Sequence, residues 1–334
     1  MPALYVIEVG SRIEVEYERL LVTLEDRIIF RVPLGQVSQV VLVGRIGATT
    51  PALHCLLERD IPLFFISRRG EYLGRLVGPT GTNLPLRQAQ YQRDQDAEFC
   101  LKTAQAIVGG KLRNQYTLAA RWLRRHPNPR CNSALEDLRT AIVQVSEAEA
   151  LDVLLGIEGS AARAYFSIYR SLFDQAWNFT NRNRRPPRDP INALLGLGYT
   201  LLHCCLTTAI EAAGLDPYLG YYHTESNARP ALALDLEEEF RSPIVDSLIY
   251  DLIAHRMIKL DDFVPDRESG YLAWLRAPAR RLFIQQFSRK IQSGLKTREI
   301  GRTLSYQKLF EVQARRMAHA ITGESPDYQA FEAR

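Results

Sequence analysis

The chain has 334 residues, of which 46% are hydrophobic and 24% charged, a composition that excludes an intrinsically disordered protein. Lysine and arginine exceed aspartate and glutamate by only four charges, so a nucleic-acid partner would have to bind a local basic patch. The five cysteines contain no CxxC pair, which argues against a structural zinc site or a disulfide framework and fits a reducing cytoplasm.

We find no pattern of an export signal or a membrane span. The first ten residues lack a basic segment followed by a long apolar run, and no later stretch reaches about 18 uninterrupted apolar residues. We therefore expect a cytoplasmic protein with no membrane partner. Its length favours two domains.

Residues 1–84 predict a small β-rich domain. Short β-branched or alternating runs predict strands at residues 4–9, 12–17, 20–23, 27–32, 37–43, 61–67 and 72–77. Thr50 and Pro51 predict the cap and first turn of one helix that ends near Arg59. A cluster of Gly, Pro, Thr and Asn at residues 78–83 predicts the domain boundary.

Residues 85–334 predict a larger, all-α domain, because the apolar spacing becomes helical, and the fold class is therefore α+β. The first long helix is expected to break at Gly109 and Gly110 and to continue as a basic segment, 111–125. That segment is a solvated helix face or a phosphate-binding one. Ser146 is expected to start a further helix through a capping box, and the residues from Gly323 onward form a polar tail.

A Pro-rich loop at residues 181–190 concentrates arginines before another helix. Asp189 as N-cap and Pro190 at the first helical position predict a helix that runs to about Ala213. Guanidinium groups beside a helix start suit phosphate binding, with a flexible loop as the alternative. A second basic zone near the C-terminus is interleaved with aromatic residues that we expect to face the core.

The most informative stretch is residues 223–241, a polar turn that leads into a predicted helix. Asp235 and Glu238 share one face of that helix, beside an apolar stripe. Together with His223 they could hold a divalent cation, Mg²⁺ or Mn²⁺. Consecutive glutamates are also typical of a solvated helix face, so the spacing alone leaves the metal site open.

Two motifs in this part of the chain resemble the signatures of the CRISPR adaptation integrase, or Cas one, family. The first is Gly-Leu-Asp-Pro-Tyr-Leu-Gly-Tyr-Tyr-His at residues 214–223, followed by Arg-Pro-Ala-Leu-Ala-Leu-Asp-Leu-Glu-Glu-Glu-Phe-Arg at 229–241. The second is Glu-Gly-Ser-Ala-Ala-Arg-Ala-Tyr-Phe at 158–166. The arginine loop before Asp-Pro-Ile-Asn-Ala-Leu-Leu extends the match. Glu237 departs from the pattern, since the family commonly has methionine there.

The resemblance implies a catalytic metal site. Its ligands would be Glu158, His223 and Glu238, with Asp235 beside them as a further candidate and Mg²⁺ or Mn²⁺ as the cofactor. The acidic ligand is open to a one-residue error among Glu237, Glu238 and Glu239. The implied reaction in CRISPR spacer acquisition joins prespacer 3′-OH ends to a CRISPR repeat by transesterification, with an associated DNA endonuclease activity.

The resemblance also implies partners. These are double-stranded DNA, a second copy of the chain in a homodimer, and a small ferredoxin-like second adaptation Cas protein. The N-terminal domain would carry dimer and partner contacts. The residues that we predict to contact DNA are Arg163, Tyr165, Arg182, Arg184, Arg185, Arg188, Arg241, Arg280, Arg281 and Lys290.

Two other functions remain open at this point. A general metal-dependent DNase on branched or single-stranded DNA would use the same residues with water as the nucleophile. A non-catalytic DNA-architectural protein would need the basic patches but not the carboxylates. RNA is also a conceivable substrate, because phosphate contacts carry no sequence information.

Overall fold

The N-terminal part of the chain builds two four-stranded sheets. The computed structural model describes residues 2–79, 83–183, 187–223, 230–265, 272–296 and 303–333. The first strands are β1 (Ala3–Val6), β2 (Arg12–Glu16), β3 (Arg19–Leu24), β4 (Arg27–Pro33), β5 (Gln39–Val43), β6 (Gly47–Ala48), β7 (Leu63–Ile66) and β8 (Tyr72–Leu76). One sheet has the order β1-β5-β7-β8 and the other β4-β3-β2-β6. All the predicted strands are present, and within residues 2–79 the short β6 is an addition that was not predicted.

The first sheet is covered on both faces. Because side chains alternate across a strand, Val40 and Leu42 of β5 join a core with the second sheet and helix α1 (Thr50–Glu58). Val41 and Val43 join the core of the helical part. Burial on both faces explains why β5 is a continuous apolar run. Helix α1 is capped by Thr49, one residue before the predicted cap.

The rest of the chain is mainly helical, which confirms the α+β class. Its helices are α2 (Leu84–Arg93), α3 (Ala97–Arg125), α4 (Asn132–Glu147), α5 (Leu151–Arg170), α6 (Pro190–Ala212), α7 (Ala231–Phe240), α8 (Ser247–Ala254), α9 (Ala277–Gln292) and α10 (Tyr306–Thr322). Two hairpins interrupt them: β9 (Phe263–Pro265) with β10 (Leu272–Leu275), and β11 (Gly294–Lys296) with β12 (Thr303–Ser305). An entirely helical second part is therefore wrong in detail. The division at residue 84 into two domains stays a prediction.

Three local predictions are wrong. Helix α3 continues through Gly109 and Gly110 without a break. Gly110 serves close packing and does not end the helix, since a Cβ there would lie 2.5 Å from Cβ of Ala330. Ser146 lies inside the last turn of α4 and starts no helix. The C-terminal tail is not a solvated polar segment, since Tyr328 and Phe331 are buried.

Helix α6 is apolar on all sides. Its length and composition would let it cross a membrane, but most of it is buried, and it packs against α7 and α10. Asp189 caps it by accepting a hydrogen bond from the Asn192 N–H at 2.8 Å, and Pro190 stands at its first position, as predicted. A helix that is hydrophobic all round is typical of a protein interior.

A π-helical turn, Arg241–Asp246, follows α7 and is anchored by a buried carboxylate. Asp246 accepts hydrogen bonds from the hydroxyls of Tyr165 on α5 and Tyr199 on α6, each at 2.7 Å. Burial raises the pKa of Asp246 to about 6, although these hydrogen bonds oppose the rise. The turn is thereby held to α5 and α6.

The packing of α6 against this turn predicts the effects of two matched substitutions. A Cβ at Gly198 would lie 2.4 Å from Cγ1 of Val245, whereas a Cβ at Gly196 would meet nothing within 4 Å. We expect Gly198→Ala to lower the free energy of unfolding by about 1–3 kcal/mol through overpacking. Gly196→Ala should be neutral or raise it by up to about 1 kcal/mol. Urea unfolding measures both, and equal values would contradict this packing.

The raised pKa of Asp246 predicts a pH dependence. Folding raises this pKa from the ordinary 3.8 to about 6, so the folded protein binds the proton more tightly than the unfolded chain does. Its contribution to stability is full below about pH 4 and is lost as the pH rises through about 6. Relative to Asp246→Asn, the wild type should lose about 2–3 kcal/mol of unfolding free energy between pH 4 and pH 7. Urea unfolding at several pH values tests this, and a constant difference would contradict it.

Candidate functional site

Helix α7 carries three consecutive glutamates into the protein interior. Glu237, Glu238 and Glu239 are each at most 2% exposed. Successive residues on a helix point about 100° apart, so each carboxylate meets different partners. A buried carboxylate is unfavourable unless hydrogen bonds or a positive charge compensate it. The alternative of a solvated acidic face is therefore wrong.

Glu238 faces a lysine, an arginine and a histidine. Its Oε2 lies 2.8 Å from Nζ of Lys111, and its Oε1 accepts a hydrogen bond from the guanidinium of Arg241. Nε2 of His223 lies 3.8 Å from Oε1. Burial raises the pKa of Glu238, but the charges of Arg241 and Lys111 lower it by more. The net pKa is far below its ordinary value, so this carboxyl is ionised.

Glu158 reaches the same place from α5. The ammonium of Lys111, on α3, donates to Oε1 of Glu158 and also pairs with Glu238. The Lys111 side chain is 8% exposed and that of Glu158 is 21% exposed. Burial lowers the pKa of Lys111, but Glu238 and Glu158 raise it by more, so the lysine is charged. Three helices, α3, α5 and α7, thus meet at one ammonium group.

Asp235 fixes the position of His223. Its Oδ1 lies 2.8 Å from Nδ1 of the ring, and its carboxylate also accepts the backbone N–H groups of residues 221–223. A hydrogen bond at Nδ1 orients the ring so that Nε2 is presented to Glu238. Asp235 is fully buried and holds His223 in this way, and its place as a further metal ligand stays a prediction. A Cβ at Gly220 would lie 2.6 Å from Oδ2 of Asp235, so this turn requires glycine.

The donor set suits a divalent cation chemically. Two carboxylates and one imidazole nitrogen are ligands that Mg²⁺ and Mn²⁺ accept. Within the described ranges, no three His, Cys, Asp or Glu side chains are already placed to hold a metal ion, and Lys111 lies between the two carboxylates. Oε2 of Glu238 is buried and accepts no hydrogen bond, although the ammonium is 2.8 Å away. A buried carboxylate oxygen of this kind is chemically suited to coordinate a metal.

The neighbouring glutamates have other tasks. Glu237 accepts a hydrogen bond from Nε of Arg241 at 3.0 Å, and its Oε2 lies 3.7 Å from Nδ1 of His203. Glu239 accepts from the hydroxyl of Tyr328 at 2.5 Å and points about 100° away from Glu238 around the helix. Burial raises the pKa of Glu239 to about 7. Orientation therefore favours Glu238 over both neighbours as the acidic ligand.

The residues predicted to contact DNA divide into accessible and buried ones. The exposed or partly buried ones are Arg163, Arg182, Arg188, Arg281 and Lys290. Tyr165 and Arg280 are 0% and 4% exposed, so neither presents an accessible surface in this structure, and their DNA contacts stay predictions. Arg241 pairs with Glu237 and Glu238 and stacks over Tyr199 at 5.0 Å, so its charge acts within the site. Arg184 and Arg185 lie outside the described residues.

Sequence reasoning missed the role of Lys111, which was grouped with the basic segment 111–125. In α3 it follows Ile107 by four residues and Val108 by three, and both of these are fully buried. Residues at these spacings share a helix face. A lysine is almost never buried without a charged partner. The position of Lys111 on an apolar helix stripe could therefore have indicated a buried ion pair.

Comparison with known proteins connects this geometry to a family. A family model described as CRISPR associated protein Cas1 matches residues 4–289. A CRISPR-associated exonuclease Cas4/endonuclease Cas1 fusion from Geobacter sulfurreducens is 39% identical over all of this chain, which spans 59% of that relative's length. A CRISPR-associated endonuclease Cas1 from Thermus thermophilus is 35% identical over 92% of this chain and 89% of its own.

A solved structure agrees with the sequence comparisons. A chain of a Cas6-RT-Cas1–Cas2 complex matches with a TM-score of 0.87 and 28% identity, over all of this chain and 36% of its own length. The family model covers most of the chain, and the Thermus relative matches over nearly its full length. This chain therefore belongs to the Cas1 family of CRISPR-associated proteins.

Proposed function

We propose that this chain is a metal-dependent DNA integrase of CRISPR spacer acquisition, with an associated endonuclease activity. The observation that carries the proposal is the meeting of Glu158 and Glu238 at the Lys111 ammonium, with His223 facing the same Glu238. These ligands come from two helices and a turn that are far apart in sequence. A cation position enclosed in this way is suited to Mg²⁺ or Mn²⁺.

The proposed reaction exchanges one phosphodiester for another. The oxygen of a prespacer 3′-hydroxyl gives up its proton to solvent and attacks a phosphorus of the CRISPR repeat, and a new P–O bond forms. The bond from that phosphorus to the neighbouring 3′-oxygen breaks, and the departing oxygen takes up a proton to become a new 3′-hydroxyl. One P–O bond forms for each that breaks, so no external energy source is needed.

The residues of the chain have distinct tasks in this reaction. Glu158, His223 and Glu238 would hold the cation, and Asp235 keeps the imidazole turned toward it. A bound divalent cation would stabilise charge on the reacting phosphate and help to activate the attacking oxygen. Lys111 neutralises charge on both carboxylates, which limits their repulsion of the DNA phosphates.

The edge of the second sheet supports a homodimer. The apolar residues Ile28, Ile29 and Phe30 on the edge strand β4 are 41–50% exposed. An exposed apolar edge strand favours pairing with another chain. We propose that this edge contacts the second copy. The Cas1–Cas2 complex among the solved structures supports a small second adaptation Cas protein as a further partner.

A general metal-dependent DNase is the second candidate, and the relatives named as endonucleases favour it. It would use the same ligands, with water as the nucleophile. The product separates the two functions, because a nuclease shortens the labelled strand and an integrase attaches it to the target.

Loss of any ligand should abolish joining while DNA binding persists. We expect Glu158→Gln, His223→Ala and Glu238→Gln each to reduce strand transfer by at least about 100-fold, because the lost interaction acts mainly in the transition state. The assay uses a labelled duplex with 3′-OH ends, a supercoiled plasmid that carries a repeat, and Mg²⁺ or Mn²⁺, with and without the small partner protein. Gel shifts report binding.

Glu98→Gln is the matched control, because Glu98 is 77% exposed on α3 and pairs only with Lys102 among the ion pairs described. It should join DNA like the wild type. A duplex with 3′-deoxy ends should give no joined product. Retained joining in the ligand variants would refute the ligand assignment, and a label that is only shortened would favour the DNase.

The exposed basic residues should contribute to DNA binding through phosphate contacts. Arg163 is exposed on α5, five residues after Glu158, and its guanidinium donates to Ser160. We expect Arg163→Ala to weaken DNA binding and to reduce the slope of log K against log salt by about 0.9, as for one lost phosphate contact. Arg139→Ala, on the exposed face of α4, is the control and should leave the slope unchanged. Equal slopes for all three proteins would contradict the contact.

A further inference from the structure

The C-terminal segment 328–333 folds back onto the helix that carries Glu238. The Tyr328 hydroxyl donates to Oε1 of Glu239 at 2.5 Å, and the Phe331 N–H donates to Oε2 at 2.6 Å. Gln313 on α10 donates to Oε2 at 3.0 Å and to the Tyr328 oxygen at 2.9 Å. Two of the three groups that donate to this carboxylate therefore belong to the segment.

The same segment is attached to α3. Nδ2 of Asn114 donates to the backbone oxygens of Glu239 and Phe331, at 2.8 Å and 2.9 Å, and its Oδ1 accepts the Ala333 N–H at 2.6 Å. Asn114 is one turn beyond Lys111 on α3, and Glu239 is the residue after Glu238. The segment thus joins α3 to α7 directly behind the pair formed by Lys111 and Glu238.

Packing reinforces these hydrogen bonds. The ring of Phe331 stacks on Phe240, the last residue of α7, with 4.8 Å between ring centroids and 12° between planes. Gly110 lets the chain approach α3, because a Cβ there would lie 2.5 Å from Cβ of Ala330. The residue immediately before Lys111 is therefore the place where the segment rests.

The segment determines which way α7 faces. Without Tyr328 and Phe331, Glu239 would be a buried carboxylate with Gln313 as its remaining donor, which is unfavourable. A rotation of α7 that moved Glu239 out of this position would relieve the cost. Since successive helix residues point about 100° apart, such a rotation would carry Glu238 away from Lys111, Glu158 and His223.

We propose that segment 328–333 is a positioning element of the metal site, which holds α7 in the rotation that directs Glu238 at the cation. The inference rests on the metal site of the proposed function. Tyr328 and Glu239 are positioning residues that act through Glu238 and contact neither metal nor DNA. The element adds metal affinity by fixing a ligand in advance.

Mn²⁺ binding to the purified chain without DNA tests the proposal. Isothermal titration would compare the wild type with Tyr328→Phe, which removes one donor to Glu239 and keeps the ring, and with Gly110→Ala, which displaces the segment. We expect both to raise the half-saturating Mn²⁺ concentration about tenfold, the usual effect of losing a group that supports a ligand. Saturating Mn²⁺ should restore strand transfer in both.

Two matched controls distinguish positioning from general loosening. Tyr306→Phe also removes a buried hydroxyl, which donates to the Pro243 oxygen at 3.4 Å and not to Glu239. At Gly196 on α6 a Cβ would meet nothing within 4 Å, so Gly196→Ala leaves the segment in place. Both controls should bind Mn²⁺ within about twofold of the wild type.

Glu158→Gln separates the failure of this inference from the failure of the proposed function. If Glu158→Gln loses Mn²⁺ while Tyr328→Phe and Gly110→Ala bind like the wild type, the metal site stands and the positioning role is overturned. Mn²⁺ binding that is weakened equally in the two control variants would overturn the positioning role as well. If Glu158→Gln binds Mn²⁺ like the wild type, the metal site itself is wrong, and this inference fails with it.

Discussion

The structure depends on burying three consecutive carboxylates in one short helix. No single partner can compensate Glu237, Glu238 and Glu239, because they point in three directions from α7. Cations compensate the first two, and neutral donors compensate the third. Each direction therefore requires a different part of the chain to pack against α7, and this requirement organises the helical part around it.

Helix α3 supplies several of the groups that pack against α7, and they lie within two turns. It provides close approach at Gly110, a cation at Lys111 and a bridging amide at Asn114. Helices α5 and α6 reach the same region through Glu158 and through Tyr199, which holds Asp246 after α7. A change at Gly110, Asn114 or Tyr199 can therefore shift Glu238 without touching it.

Local pattern predicted most of the fold and the motif residues of the site. Period-two runs identified the strands, and the capping pair Asp189 and Pro190 identified the start of α6. The family motifs indicated Glu158, His223 and Glu238. Contacts between distant parts of the chain could not be predicted from local pattern. Asn114 forms hydrogen bonds with Phe331 and Ala333, which are more than 200 positions away. The polar C-terminal tail also contains two aromatic residues, Tyr328 and Phe331, that are buried. The burial of Tyr165 and the engagement of Asp235 likewise follow from distant contacts.

The all-round apolar helix α6 has a consequence for synthesis of the chain. Part of its surface is covered by α10, which begins about ninety residues after α6 ends. At about 5–20 residues per second, a ribosome needs roughly 5–20 seconds to make that intervening segment. During this interval an emerging helix that is long and apolar enough to enter a membrane has no α10 to cover it. Apolar surface exposed in this way during synthesis is prone to aggregation until α10 has been made.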